Sequence, residues 1–268
     1  MKLPLDSACV ATRGERDRQE DAATLWPGSS TYPDARPRDP APDGTLLVVL
    51  ADGMGGHAAG EIASRLACEA FVQAFIHGGR DRTTVERLEL ALDVANSTIA
   101  SAIAEHQRLA GMGSTLVGAH IAGNGLSWIS VGDSPLYLIR AGDIALLNED
   151  HSLAPALDQA AQEGRITVEQ ARADPRRHLL RSAVMGEELE LVDVSRKPLT
   201  LETGDVIVCA SDGIHTLDEV EIARIVEAYL NDGAAAIAQA LLRSVEAARE
   251  PGQDNTTIAV VRVSSAPG

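Results

Sequence analysis

The stretch Thr45-Leu46-Leu47-Val48-Val49-Leu50-Ala51-Asp52-Gly53-Met54-Gly55-Gly56-His57 organises the reading of the whole chain. From Thr45 to Ala51 it is a continuous apolar run, as expected of a strand covered on both faces. It then stops on an aspartate, and a carboxylate at the mouth of a buried strand is costly unless something neutralises it. Two other apolar runs break off the same way, at Gly132-Asp133 and at Ser211-Asp212-Gly213. Asp254 stands just before the run from Thr256 to Val263. Asp-Gly alone is a turn dipeptide, but turn chemistry does not explain why the acids repeatedly adjoin fully apolar runs. Acids so placed suggest hard cations held between strand ends. Glu20-Asp21 adds two adjacent acids at another strand entrance.

Working outward, a helix starts near Ala58, where Ile62, Leu66, Ala70 and Ala74 recur every fourth residue until His77-Gly78-Gly79. Thr83-Thr84-Val85-Glu86 has the form of a capping box for a second helix striped by Leu88, Leu92, Ala95, Ile99 and Ile103. Residues 5–12 and 22–26 read as a strand pair or two neighbouring strands around a polar bend. Residues 27–44 carry five prolines and read as a long exposed loop. Residues 114–147 read as an antiparallel meander with tight turns. Residues 150–188 are a less regular excursion with Arg172, Arg176, Arg177 and Arg181 as a basic exception in an acidic chain. Strands resume over 190–210. Thr216-Leu217-Asp218-Glu219 has the form of another capping box, opening a helix through Tyr229. A further helix carries Ile237, Leu241, Val245 and Ala248, and Thr256–Val263 closes the chain as a strand. Strands clustered apart from paired helices, without steady β-α-β alternation, indicate an α+β layered fold in one domain, residues 1–268.

The balance of 23 Lys and Arg against 39 Asp and Glu, net −16, argues against nucleic acid and against an anionic membrane surface as partners. Aromatic residues make up 3%, so the core must be aliphatic and alanine-rich. Cys9, Cys68 and Cys209 form no C-x-x-C pair and read as reduced structural thiols. No stretch approaches the roughly 20 apolar residues of a membrane span. The expectation is a soluble, cytoplasmic protein with no membrane insertion.

Magnesium or manganese takes oxygen ligands and retains several waters. A glycine after the aspartate, as at Gly53 and Gly213, lets the chain turn and bares a carbonyl as a further ligand. Two ions sharing a carboxylate can hold a water and make it a nucleophile for a phosphorus centre. Arg16 could hold the phosphate through its planar fork of donors. Each piece has a plainer alternative: a hairpin turn at each Asp-Gly, a solvated face at Arg13, Arg16 and Arg18, and polar-loop histidines at His57 and His151.

Together the stretches resemble a known family. They are Arg16 to Asp21, Asp52 to His57 with Gly60-Glu61, Gly111-Met112-Gly113-Ser114-Thr115, Val131 to Ser134, Asp150-His151-Ser152, Ala210 to Gly213, and Asp254-Asn255-Thr256-Thr257. In this order they resemble the PPM family of metal-dependent (type 2C) Ser/Thr protein phosphatases, bacterial branch. The resemblance implies a four-layer α-β-β-α sandwich, two mainly antiparallel sheets flanked by helix pairs, with metals at one edge. It implies hydrolysis of phosphoserine and phosphothreonine in proteins by a metal-bridging water, opposing a cytosolic Ser/Thr kinase. Carried over by position, Asp52 would bridge two Mn2+ or Mg2+ ions. Asp212 and Asp254 would complete one, and Glu20 with the Gly53 carbonyl the other. Asp21 would hydrogen-bond bound waters and Arg16 the substrate phosphate. Asp133, with Asp212, would hold the third ion of bacterial members. The segment 150–188 occupies the place of the family's flap, read either as selecting phosphoprotein substrates or as a solvated helix face.

Three departures stand out. Gln19 replaces a usual asparagine, Pro135 a common arginine, and Met54 the eukaryotic histidine proposed as general acid. The last moves the leaving-group proton to bound water. Two other readings are a catalytically silent phosphoprotein-binding member and a small-molecule phosphomonoesterase. The silent members lose metal acids that this chain keeps.

Overall fold

The structure is a computed structural model that describes residues 3–32, 41–42, 44–55, 59–79 and 81–264. Gly56, His57 and Ala58, which close the opening motif and hold the expected helix start, lie outside the described residues. So do Pro33, Pro37 and Pro40 of the proline-rich loop.

Two antiparallel sheets stack face to face. The first runs in the order β1 (Leu5–Thr12), β12 (Thr256–Val263), β11 (Val206–Ala210), β7 (Leu136–Arg140) and β8 (Asp143–Leu146). The second runs β10 (Leu199–Thr200), β6 (Gly125–Val131), β5 (Leu116–Ala122), β3 (Thr45–Met54) and β2 (Asp21–Trp26), with β4 (Gly113–Ser114) beside β3 and β9 (Asp193–Val194) beside β6. Helices α1 (Ala59–His77) and α2 (Thr84–Glu105) cover the outer face of the second sheet. Helices α5 (Glu219–Ala228) and α6 (Ala234–Ala248) cover that of the first. Two short helices, α3 (Ala154–Gln162) and α4 (Val168–Ala173), lie in the excursion after β8.

Four layers need three apolar interiors, and β3 shows how one strand serves two of them. Successive side chains of a strand point to opposite faces. Leu47, Val49 and Ala51 therefore pack under the helices with Phe71, Phe75, Leu88 and Ile99. Leu46, Val48 and Leu50 face the other sheet and meet Val117, Ile121, Ile207 and Val261. The unbroken apolar run is thus the signature of a strand buried twice. Strand β12 does the same, sending Ile258 and Val260 toward α5 and α6, and Ala259 and Val261 between the sheets. The expected capping box on α2 is present. Thr83 Oγ1 accepts from the Glu86 amide at 3.3 Å, and the Glu86 carboxylate accepts from the Thr83 amide at 2.7 Å. Such a cap contributes about 1 kcal/mol.

Three local expectations are corrected. Strands β1 and β2 do not pair: β1 lies against β12 and β2 against β3, so the bend at 13–20 carries the chain from one sheet to the other. The run 114–147 is two hairpins, β5–β6 and β7–β8, in different sheets, and Gly132-Asp133-Ser134-Pro135 is a second crossing. The cap of α5 is Asp218, whose carboxylate accepts from the Glu221 amide at 2.7 Å. The Thr216 hydroxyl is taken instead by Gln253 Oε1 at 2.6 Å.

Candidate metal centre

Both sheets bring two strand ends to one rim. In the second sheet Asp21 opens β2 and is the register partner of Asp52 on β3. Like charges directly opposite on neighbouring strands destabilise the pair. In the first sheet Asp212 follows the end of β11 and Asp254 precedes the start of β12. These strands are antiparallel neighbours, so both acids fall at the same end. Asp133 sits on the crossing from β6 to β7. A cleft of about 480 Å³ opens among these ends, lined by Arg16, Glu20, Asp52, Asp133, Asp212 and Asp254. Asp21 is buried behind its wall.

Neutral groups hold these acids in place. The Asp52 amide donates to Thr115 Oγ1 at 2.9 Å, and its carbonyl accepts from the Thr115 amide at 2.9 Å and Ser114 Oγ at 2.8 Å. The Thr115 hydroxyl also pairs with Ser134 Oγ at 2.7 Å, tying Asp52 to the Asp133 turn. That turn needs Gly132, whose φ is +103° and whose missing Cβ would lie 2.7 Å from Thr115 Cβ. The Ser211 hydroxyl donates to Asp21 Oδ2 at 2.7 Å and accepts from the Thr257 amide at 2.9 Å. At the start of α1, a Cβ on Gly60 would stand 2.9 Å from both the Glu20 carboxylate and the Gly53 carbonyl. These two oxygens therefore border one small space that a side chain would fill.

The electrostatics are those of acids pressed together. Burial and the neighbouring Asp21, Asp212, Asp133 and Asp254 hold the Asp52 carboxyl well above the usual range. Burial first, then Asp212 and Asp150, pushes Asp133 up to about 7. Burial likewise pushes Asp21 up to about 7, opposed by its bond from Ser211. Asp212 is raised by burial first and then by the charge of Asp254, with His215 opposing. Buried oxygens Asp21 Oδ1 and Asp212 Oδ1 have no partner at all. Arg16 Nη2 contacts Asp254 Oδ2, so the candidate phosphate binder stands as a counter-ion to a candidate ligand.

Among the described residues, no three His, Cys, Asp or Glu side chains converge on one point as they stand. The acids ring the cleft. Their chemistry nonetheless fits hard divalent cations. The donors are all oxygens, two buried carboxylate oxygens are orphaned, and the charges repel without an intervening cation.

The structure brings Arg16, Glu20, Asp52, Gly53, Asp133, Asp212 and Asp254 to one cleft, with Asp21 directly behind. Reading the residues alone missed Thr115, Ser134, Ser211 and Asn255 as the groups that position them. All four lie inside the quoted motifs, but their partners are distant in sequence. It also missed His178, Leu179 and Leu180, which line the cleft from the 150–188 segment. No local signal marks them. Of the basic residues there, Arg177 is paired through two bonds of 2.8 Å with Asp158, and Arg176 with Asp174 at 2.8 Å.

The sequence pattern of the family described as protein phosphatase 2C matches residues 36–251. The chain belongs to this protein phosphatase 2C, or PPM, family. It is 36% identical over 223 residues to the serine/threonine protein phosphatase PstP of Mycobacterium tuberculosis, covering 82% of this chain and 41% of that one. It is 32% identical over 224 residues to protein phosphatase PhpP of Streptococcus pneumoniae, covering 82% of this chain and 87% of that one. The chain thus spans about two fifths of the PstP sequence it matches and most of PhpP. A solved structure of the PstP catalytic domain in complex with two manganese ions superposes with a TM-score of 0.75 at 29% identity, covering 97% of this chain and 99% of that one. The four-layer sandwich of this chain is therefore the PPM fold, and its acid rim falls in a family whose solved member holds two metal ions.

Proposed function

We propose that this chain is a metal-dependent Ser/Thr protein phosphatase, acting through residues 1–268 as one domain. The observation that carries the reading is a single cleft between sheet ends, lined by Glu20, Asp52, Asp133, Asp212, Asp254 and Arg16, in a chain of the PPM family. Asp52, between the two sheets' acids, would be shared by two Mn2+ or Mg2+ ions. Asp212 and Asp254 would serve one, and Glu20 with the Gly53 carbonyl the other. Asp133 with Asp212 would serve a third. When bound, these cations would neutralise the cluster and lower the pKa of water to yield the nucleophile.

The chain's own residues do the rest. Arg16 is half exposed at the cleft mouth, placed to exchange its contact with Asp254 for a substrate phosphate. Asp21 is held by Ser211 through one oxygen, and its other oxygen, buried and without a hydrogen-bond partner, would accept a hydrogen bond from water held at the site. Met54 lines the cleft and offers no proton, so no side chain at that position serves as a general acid. His178 and Leu179 lie on the exposed border of the cleft, where a phosphoprotein would approach. The substrates are phosphorylated Ser/Thr proteins, with a cognate kinase supplying them. The free thiols of Cys9, Cys68 and Cys209 support a cytoplasmic setting, and no described helix is long and apolar enough to cross a membrane.

The test is a phosphopeptide assay with metal titration. Turnover should stop in excess chelator and return with added Mn2+. Full activity in chelator would sink the reading.

A further inference from the structure

Asn255 follows Asp254 at the mouth of β12 and is buried. Its side-chain amide is spent on one short stretch far away in sequence. Oδ1 accepts from the Glu20 amide at 2.7 Å. Nδ2 donates to the Arg13 carbonyl at 2.8 Å and to the Arg18 carbonyl at 2.9 Å. Only this orientation of the amide works, since the reverse would set an oxygen against two carbonyls and an NH2 against an N–H. Arg13 and Arg18 are the two feet of the turn that carries Arg16. Glu20 is caught from the other side as well, its carbonyl accepting from the Gly53 amide at 3.1 Å. The Glu15 amide donates to the Gln253 carbonyl at 2.9 Å, and a Cβ on Gly14 would strike that carbonyl at 2.5 Å, so the turn lies flat on the approach to β12.

We infer that Asn255 is a positioning residue that locks the 13–20 sheet crossing onto the β12 mouth, setting Arg16 and Glu20 in register with Asp254. This rests on the phosphatase reading above, in which Arg16 meets the phosphate. Arg16 is an exposed side chain on a polar turn between strands of different sheets, and the turn takes its place from its bonds to the approach of β12. The Asn255 amide ties both feet of the turn and Glu20 together without adding charge to an acidic rim.

The substitution Asn255→Asp separates the two halves of the clamp. It keeps an acceptor for the Glu20 amide and replaces both donors with an oxygen facing two carbonyls. Phosphopeptide kinetics in saturating Mn2+ would be compared for the wild type, Asn255→Asp, Arg16→Ala and the double variant. Hydrogen–deuterium exchange would be followed in peptides covering 13–20 and 45–54. If Asn255 acts through the Arg16 turn, Asn255→Asp raises KM about tenfold alone and less than about twofold when Arg16 is already alanine. Exchange rises over 13–20 and stays level over 45–54. An equal rise in KM in both backgrounds, or unchanged exchange over 13–20, overturns the inference and leaves the phosphatase reading standing. A wild type inert toward phosphopeptide at every Mn2+ level overturns that reading, and exchange then decides the positioning role alone. Should Asn255→Asp fail to fold, Asn255→Ala removes both halves of the clamp without adding charge, and the same KM and exchange outcomes decide.

Discussion

At the rim between the sheets, Asp21, Asp52, Asp133 and Asp212 are buried or half-buried beside one another and all have raised pKa values. In the 150–188 segment that borders the same cleft, Asp158 and Asp174 each meet an arginine, and both have lowered values. The two regions show opposite settlements of charge. The segment balances its ions within itself, at the surface, where each pair contributes little. The rim uses hydroxyls and an amide to fix acids pressed against one another, and so stores repulsion that a bound cation or a proton relieves. A region built for stability alone would resemble the first.

Replacing one rim acid should break this contrast most visibly. Asp212→Asn is expected to cut Mn2+-supported phosphopeptide turnover by at least about a hundredfold, because a charge that holds the cations is gone. The same variant, melted in chelator, should be more stable than the wild type, since the lost charge was repelled by Asp254 and disfavoured by burial. A lower melting temperature would place the repulsion elsewhere.

The next effect is on pH dependence. Asp21 and Asp133 rise from an ordinary 3.8 to about 7 on folding. Over that interval the native state binds more protons than the unfolded one, so metal-free stability should fall as pH rises from about 4 to about 7. Bound Mn2+ should flatten the slope. Melts in chelator that do not change between about pH 5 and about pH 8 would contradict the assigned shifts.

Arg16→Ala should raise KM for a phosphopeptide about tenfold with little change in kcat. Calorimetry should find Mn2+ binding no weaker, because a competitor for Asp254 is removed. Unchanged KM would return Arg16 to the solvated surface. The smallest effect belongs to the other region: Arg177→Ala should cost about 1 kcal/mol or less, and leave the metal-free pH slope untouched.

The acids were legible in the sequence because burying a carboxylate leaves a local mark, an apolar run that ends on a charge. The twice-buried strand was legible for a related reason: Leu46 to Ala51 have no polar face to show. Sheet membership was not legible. The bends at 13–20 and 132–135 have the composition of hairpin turns, and what makes them crossings is pairing with strands as remote as β12. The cap of α5 was misplaced because Thr216 and Asp218 both carry cap chemistry, and only the approach of Gln253 decides between them. The hydroxyls and the amide that hold the acids were visible as letters but not as partners.

The gap at Gly60 offers a way to silence the centre without touching its charge. A single methyl there would enter the space bounded by the Glu20 carboxylate and the Gly53 carbonyl, 2.9 Å from each. Gly60→Ala is thus a stereochemical plug, able to shut one ligand position while every acid of the rim stays in the chain.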